Sequence, residues 1–135
     1  MNLTMWRKAL TIIPNVSKQE WDDLDIFSKW LISTRAAVLV MTVMSAALAG
    51  LFAWRDNSFD FSSWFALTLG LVLAHASNNL LNDHVDYSRG VDRQNYFRTM
   101  YGPHPLENQL LSRGQHLAYF FVTVSFAFAC GLYLI

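Results

Sequence analysis

Apolar residues in this chain come in long unbroken blocks, not in the alternation of a strand or on one face of a soluble helix. No charged side chain interrupts Ala36 to Trp54, AAVLVMTVMSAALAGLFAW, or Leu117 to Ile135, LAYFFVTVSFAFACGLYLI. Each block has 19 residues, which as helix is about 28 Å at ~1.5 Å per residue, close to a hydrocarbon core of about 30 Å. A third block, Trp64 to Leu81, is apolar as far as His75 and then turns polar. Core helices of a soluble bundle keep a charged face, and the first two blocks have none. The pattern predicts an all-α fold, a bundle of three transmembrane helices over about 31–54, 62–86 and 115–135, in one membrane domain over 1–135.

Before the first block the spacing changes. Leu3, Trp6, Leu10 and Ile13 recur at helical intervals with Arg7 and Lys8 opposite, which predicts a short amphipathic helix in the headgroup region, ended by Pro14. In VSKQEW, Ser17 and Glu20 have capping-box spacing, and Val16 and Trp21 stand where a hydrophobic staple would place them. A helix is therefore predicted from Lys18. With no Pro or Gly before Gly50, it is expected to run through Lys29 and Arg35 into the first span. The N-terminal stretch MNLTMWRKALTIIPNV has no long apolar core and no small-residue cleavage site, so it is not expected to be a signal peptide.

Composition strengthens the membrane reading: 53% of the 135 residues are apolar and only 15% charged. The net charge is zero, which says nothing about partners; with membrane spans predicted, no nucleic acid is expected among them. The basic residues are unevenly placed. Arg7, Lys8, Lys18, Lys29 and Arg35 precede the first span, Arg55 alone lies between the first two, and Arg89, Arg93, Arg98 and Arg113 lie between the second and third. Positive charge marks the cytoplasmic side, so the expectation is a multi-pass protein of the cell membrane. Its N-terminus and the loop over about 82–115 would face the cytoplasm. Cys130, alone inside a span, is read as a small packing residue.

That loop begins in a dense polar cluster, ASNNLLNDHVDYSRGVD, directly behind the second apolar block. If the helix continues past Leu81, then His75, Asn79, Asp83 (or Asn82) and Asp86 stack on one face at steps of four, four and three. Such a stripe is expensive against lipid unless it faces the protein interior or a hydrated cavity. Gly90 can then turn the chain and return Asp92 toward the pair. Grouped carboxylates with amides beside them are the hard oxygen ligands that suit magnesium, which commonly binds one or two carboxylates together with phosphate oxygens. The absence of a nearby thiolate or paired histidine argues against zinc. Arg89, Arg93 and Arg98 follow the acidic residues and Arg35 approaches from the first helix, and guanidinium forks suit phosphate oxygens. Metal ligands and phosphate ligands at a membrane mouth point to a lipid diphosphate as substrate.

The stretch NDHVDYSRGVD resembles the first aspartate-rich motif of the UbiA-type intramembrane prenyltransferases, Asn-Asp-x-x-Asp with a further Asp. Arg35 near the start of the first span agrees with that resemblance. So does PLENQLLS, Pro105 to Ser112, which resembles a Pro-Leu-x-x-Gly-x-Ile-Ser stretch of the family, with Gln109 in place of the Gly. The spacing from Asp86 to Asp92 is most like the dihydroxynaphthoate prenyltransferases of menaquinone synthesis. The resemblance implies that Asp83, Asp86 and Asp92 hold Mg2+ against a polyprenyl diphosphate, with Asn79 and Asn82 orienting the carboxylates. It implies Arg35, Arg89, Arg93 and Arg98 on the diphosphate and an aromatic acceptor alkylated by the allylic cation. Members of that family carry more spans and a second aspartate-rich motif. The chain is thus expected to be the N-terminal portion of such an enzyme or, in a different class, a non-catalytic subunit among other membrane proteins that binds quinone or isoprenoid.

Overall fold

The computed structural model describes residues 2–91 and 102–135. Every regular element among them is helical. In chain order these are α1 (Leu3–Thr11), α2 (Lys18–Asp22), α3 (Ile26–Ser33), α4 (Ala36–Arg55), α5 (Phe61–Arg89) and α6 (Arg113–Tyr133). The last three are long and apolar enough to cross a membrane, as the sequence pattern predicts.

One expectation is overturned. The helix expected to run from Lys18 through Arg35 into the first span is broken twice. At the first break Asp25 becomes the N-cap of α3, its carboxylate accepting from Ser28 N at 3.1 Å and Ser28 Oγ at 2.9 Å. The same carboxylate accepts from Asn2 N at 2.9 Å and Trp6 Nε1 at 3.2 Å, and so ties α1 to α3. Local side-chain acceptors of this kind compete with the helical ladder. At the second break Arg35 adopts φ 55° and ψ 55°, left-handed backbone that no Pro or Gly announces. The first span therefore begins at Ala36, and Leu31 belongs to a separate helix.

The caps elsewhere follow local chemistry. Ser17 and Glu20 form the predicted capping box, and Trp21 is 1% exposed with Val16 packed beside the same core. Ser112 and Gln115 form a second box at the start of α6. Asp60 caps α5 through Ser63 N at 2.7 Å. In α1 the protein-facing residues are Met5, Trp6 and Ala9, while Leu3 and Leu10 point outward.

Packing is densest at one end. Ala9, Trp21, Leu24, Leu31, Ile32, Ala36, Leu39, Ala76, Leu110 and Leu111 form the buried core, where α1, α3, the start of α4, the middle of α5 and the segment before α6 meet. Along the spans small residues allow close approach. A Cβ on Gly50 would lie 2.5 Å from Trp64 Nε1, which donates to the Ala46 carbonyl at 2.8 Å. Gly70 meets Cys130 in the same way, which gives the free cysteine the packing role expected of it. The central helix α5 packs against both α4 and α6.

At ~1.5 Å per residue α5 is about 43 Å long, well beyond a hydrocarbon core of about 30 Å. If Phe61 lies at one face of the membrane, its last turns, from about Asn82 to Arg89, emerge at the other.

Candidate active site at the polar end of the spans

The site is built where that emerging end of α5 meets the α3–α4 junction. Asp83 is 1% exposed, and its Oδ1 forms an ion pair with Arg35 Nη2; the Arg35 side chain is 25% exposed. A carboxylate this deeply buried is retained only when paired and hydrogen-bonded. One turn back on α5, Asn79 Nδ2 donates to the Thr34 carbonyl at 2.9 Å. Thr34 Oγ1 in turn donates to the Trp30 carbonyl at 2.9 Å. The left-handed turn at Thr34–Arg35 is thus gripped from both sides, by an amide on its backbone and a carboxylate on its side chain.

Further along the same face Asp86 is half-buried, and among the described residues its carboxylate has no hydrogen-bond or ion-pair partner. Toward the membrane His75 is half-buried, with Nδ1 2.7 Å from Thr42 Oγ1. The predicted stripe of His75, Asn79, Asp83 and Asp86 therefore exists, and its central pair faces inward. Asn82 is exposed, as is Asn78, and Arg89 is exposed in the last turn of α5. Gly90 makes the expected turn, with φ 69° and its N–H donating to the Tyr87 carbonyl. Asp92, Arg93 and Arg98 lie outside the described residues.

Asn79 does something the sequence did not announce: its amide N–H holds backbone, not a carboxylate. Three other residues went unread. His116 is fully buried, and its Nε2 donates to the Leu80 carbonyl at 2.9 Å, which fixes the start of α6 against α5. Thr123, two turns on, accepts from Trp30 Nε1 at 2.8 Å. The seven-residue spacing of His116 and Thr123, polar positions on one face of an apolar helix, is the signal that could have found both. Arg113, in the first turn of α6, stacks its guanidinium over Tyr87 at 4.9 Å and so ties a cation to the last turns of α5.

The segment before α6 closes over this end. His104, Pro105 and Leu106 are buried; His104 N–H donates to Asn108 Oδ1 at 2.7 Å, and its Nδ1 accepts from Glu107 N. Gln109 has φ 54°. Its N–H donates to the Leu106 carbonyl at 3.1 Å and Leu110 N–H to the Pro105 carbonyl at 2.9 Å, the two bonds of a Schellman turn. Gln109 thus occupies the conformation that Gly takes most readily. Gly102, at φ 105°, abuts Ile13, where a Cβ would come within 2.1 Å of Cγ2.

Residues 43–135 match the model of the UbiA prenyltransferase family. That match covers more than half of the chain and contains the whole α5 stripe. The chain belongs to the UbiA prenyltransferase family. No curated protein and no solved structure gives a match. Family membership supports prenyltransferase activity in general terms and a membrane setting, in agreement with the three apolar helices.

The donor set of this face, with Asp83 already paired to Arg35, is of the kind a hard divalent cation takes. Asp83 and Asp86 offer hard oxygens on one face, one turn apart, and magnesium needs one or two carboxylates beside phosphate oxygens. Among the described residues no group of three or more His, Cys, Asp or Glu side chains converges on a single point.

Proposed function

We propose that the chain serves transfer of a polyprenyl group from a polyprenyl diphosphate to an aromatic acceptor such as dihydroxynaphthoate, in quinone synthesis. The observation that carries this reading is the buried Arg35–Asp83 pair with Asp86 a turn further along the same face, at the polar end of three apolar helices. Asp83 and Asp86, with Asp92, would hold Mg2+, which when bound supplies positive charge to a departing diphosphate. Arg35 is already anchored beside Asp83, and Arg89 and Arg113 stand exposed nearby as further forks for phosphate oxygens, with Arg93 and Arg98 assigned to the same task. Asn79 sets the position of Arg35 by holding the Thr34 carbonyl, and Asn82 is exposed at the same end of α5. The exposed amide of Asn78, with half-buried His75, lies deeper on α5 and would be penalised by lipid, which favours a hydrated substrate cavity there. The isoprenoid tail runs along the apolar helices. The N-terminus and the acidic loop face the cytoplasm, where diphosphate substrates are made.

The test is an assay of the purified protein in lipid nanodiscs with magnesium, a polyprenyl diphosphate and dihydroxynaphthoate, with product read by mass spectrometry. Asp86→Asn should lower turnover by about 100-fold or more, the scale of a lost electrostatic contribution to leaving-group stabilisation. Equal turnover by wild type and variant would remove Asp86 from the reaction. A second reading, a non-catalytic prenyltransferase-like subunit that binds quinone or isoprenoid, draws on the openness of α6, whose span is only 11% buried. Absence of product together with copurification of a stoichiometric membrane partner would favour it.

A further inference from the structure

A cavity of about 410 Å3 opens between α2, α3 and the first turns of α6. None of the residues assigned to the diphosphate lines it. Its floor is apolar, with Trp21 at the deep end and Ile26, Ala118 and Tyr119 toward the outside. Ile26 is 74% exposed, so the apolar surface continues from the core onto the flank of the helices.

The rim carries Lys18 and Lys29, and both are drawn to Asp22. Lys18 Nζ lies 2.9 Å from Asp22 Oδ1 and also donates to the Leu110 carbonyl at 3.4 Å, which holds it over the opening. Lys29 Nζ donates to the Asp22 carbonyl at 3.2 Å. Among the described residues Lys29 has no carboxylate within ion-pairing distance. Among the residues that line the cavity one carboxylate therefore answers two ammonium groups, while the exposed Glu20 and Asp23 of the same segment do not line it.

The height of the cavity is fixed by α6. His116 bonds Leu80 at the end of α5 that carries Asp83, so the first turns of α6 lie at the polar end of the spans. Cations above an apolar floor at the edge of a hydrocarbon layer complement an amphiphile with an anionic head. We infer that this cavity binds one anionic phospholipid of the surrounding bilayer, its phosphate on Lys18 and Lys29 and its upper acyl chain along Ile26, Ala118 and Tyr119. A soluble phosphate makes no use of the floor, and a zwitterionic lipid brings no net charge to the lysines. The inference stands apart from the prenyl-transfer reading and survives its failure.

Native mass spectrometry of the full chain, released from nanodiscs of phosphatidylcholine with a minority of phosphatidylglycerol, tests it. Wild type should retain one phosphatidylglycerol in preference to phosphatidylcholine. Lys29→Gln should lower that preference about fivefold, the share of one basic residue at an anionic surface, and Lys29→Arg should restore it. Ala118→Trp, which fills the cavity and leaves the charge alone, should lower it as well. Lys8→Gln, on α1 and outside the cavity, should leave it unchanged. Equal retention of both lipids by wild type, an equal loss in Lys8→Gln, or displacement of the lipid by inorganic diphosphate would each overturn the inference.

Discussion

Arg35 combines a strained left-handed backbone with a guanidinium committed to a buried carboxylate. The backbone alone is unfavourable by about 1–2 kcal/mol for a residue with a Cβ. Such strain persists only where surrounding contacts over-determine it, and here Asp83 and Asn79 supply those contacts. The two contributions separate by substitution. Arg35→Ala should destabilise the protein by about 3 kcal/mol, since one partner of a buried pair is lost. Arg35→Gly loses the same guanidinium and relieves the backbone, so it should fall short of that loss by about 1 kcal/mol. Thermal unfolding in detergent measures both; identical midpoints for the two variants would refute the backbone half of the argument. Gln109 gives a cleaner case, because its side chain is exposed and only its φ matters. Gln109→Gly should stabilise by about 1 kcal/mol. Asn57→Gly, at the equivalent Schellman turn after α4, should gain less, because Asn tolerates the left-handed region.

Helices α1 and α3 are fastened through one carboxylate. Asp25 is partly withdrawn from water, which pushes its pKa up, but bonds from Ser28, Asn2 and Trp6 outweigh this and hold it well below the ordinary carboxylate value. A carboxyl group with a folded pKa lower than its unfolded one, about 3.9, stabilises the fold above that unfolded value and loses the contribution as pH falls toward the folded one. Trp6 fluorescence should therefore change below about pH 4 as α1 loosens from α3, and Asp25→Asn should flatten that response. An acid titration with the same profile in both proteins would show that the carboxylate is not the fastener. The element breaks at Asp25 and Arg35 are also where the sequence was least legible. The three spans announce themselves by the length of uninterrupted apolar residues, and the boxes at Ser17 and Ser112 rest on local chemistry, of which Ser17–Glu20 was read in advance. The Asp25–Ser28 cap is itself local, an Asp with a Ser three residues on that was not read as a helix start, whereas the bonds that fasten α1 to it come from Asn2 and Trp6 far upstream. The turn at Arg35 depends on Asp83 and Asn79 from another helix, and no local pattern encodes it. The acidic face of α5 was readable because helical periodicity alone aligns Asn79, Asp83 and Asp86, whereas the task of the Asn79 amide required knowing which backbone lies opposite.

The whole molecule divides into a packed polar end and three helices that keep most of their surface for another solvent. Only 22%, 22% and 11% of the three span windows are buried, although their mean hydropathies are 2.2, 1.2 and 1.5. Apolar surface left uncovered on that scale belongs in lipid, and the charged residues then decide which way the bundle faces. Before α4 stand Arg7, Lys8, Lys18, Lys29 and Arg35, whereas the connection from α4 to α5 follows a single basic residue, Arg55, which is paired with Asp56 at 2.9 Å. An excess of basic residues is retained on the cytoplasmic side, so the N-terminal helices and the Arg35–Asp83 site should lie inside and the α4–α5 connection outside. Cysteine accessibility measures this directly, with Cys130→Ala as background and one cysteine introduced at Ser58 or at Asp23, both exposed. A membrane-impermeant maleimide added to intact cells should label Ser58→Cys at once and Asp23→Cys only after permeabilisation. The reverse labelling would put the acidic face of α5 on the outer side, away from any cytoplasmic pool of diphosphate, and the proposed reaction would lose its substrate.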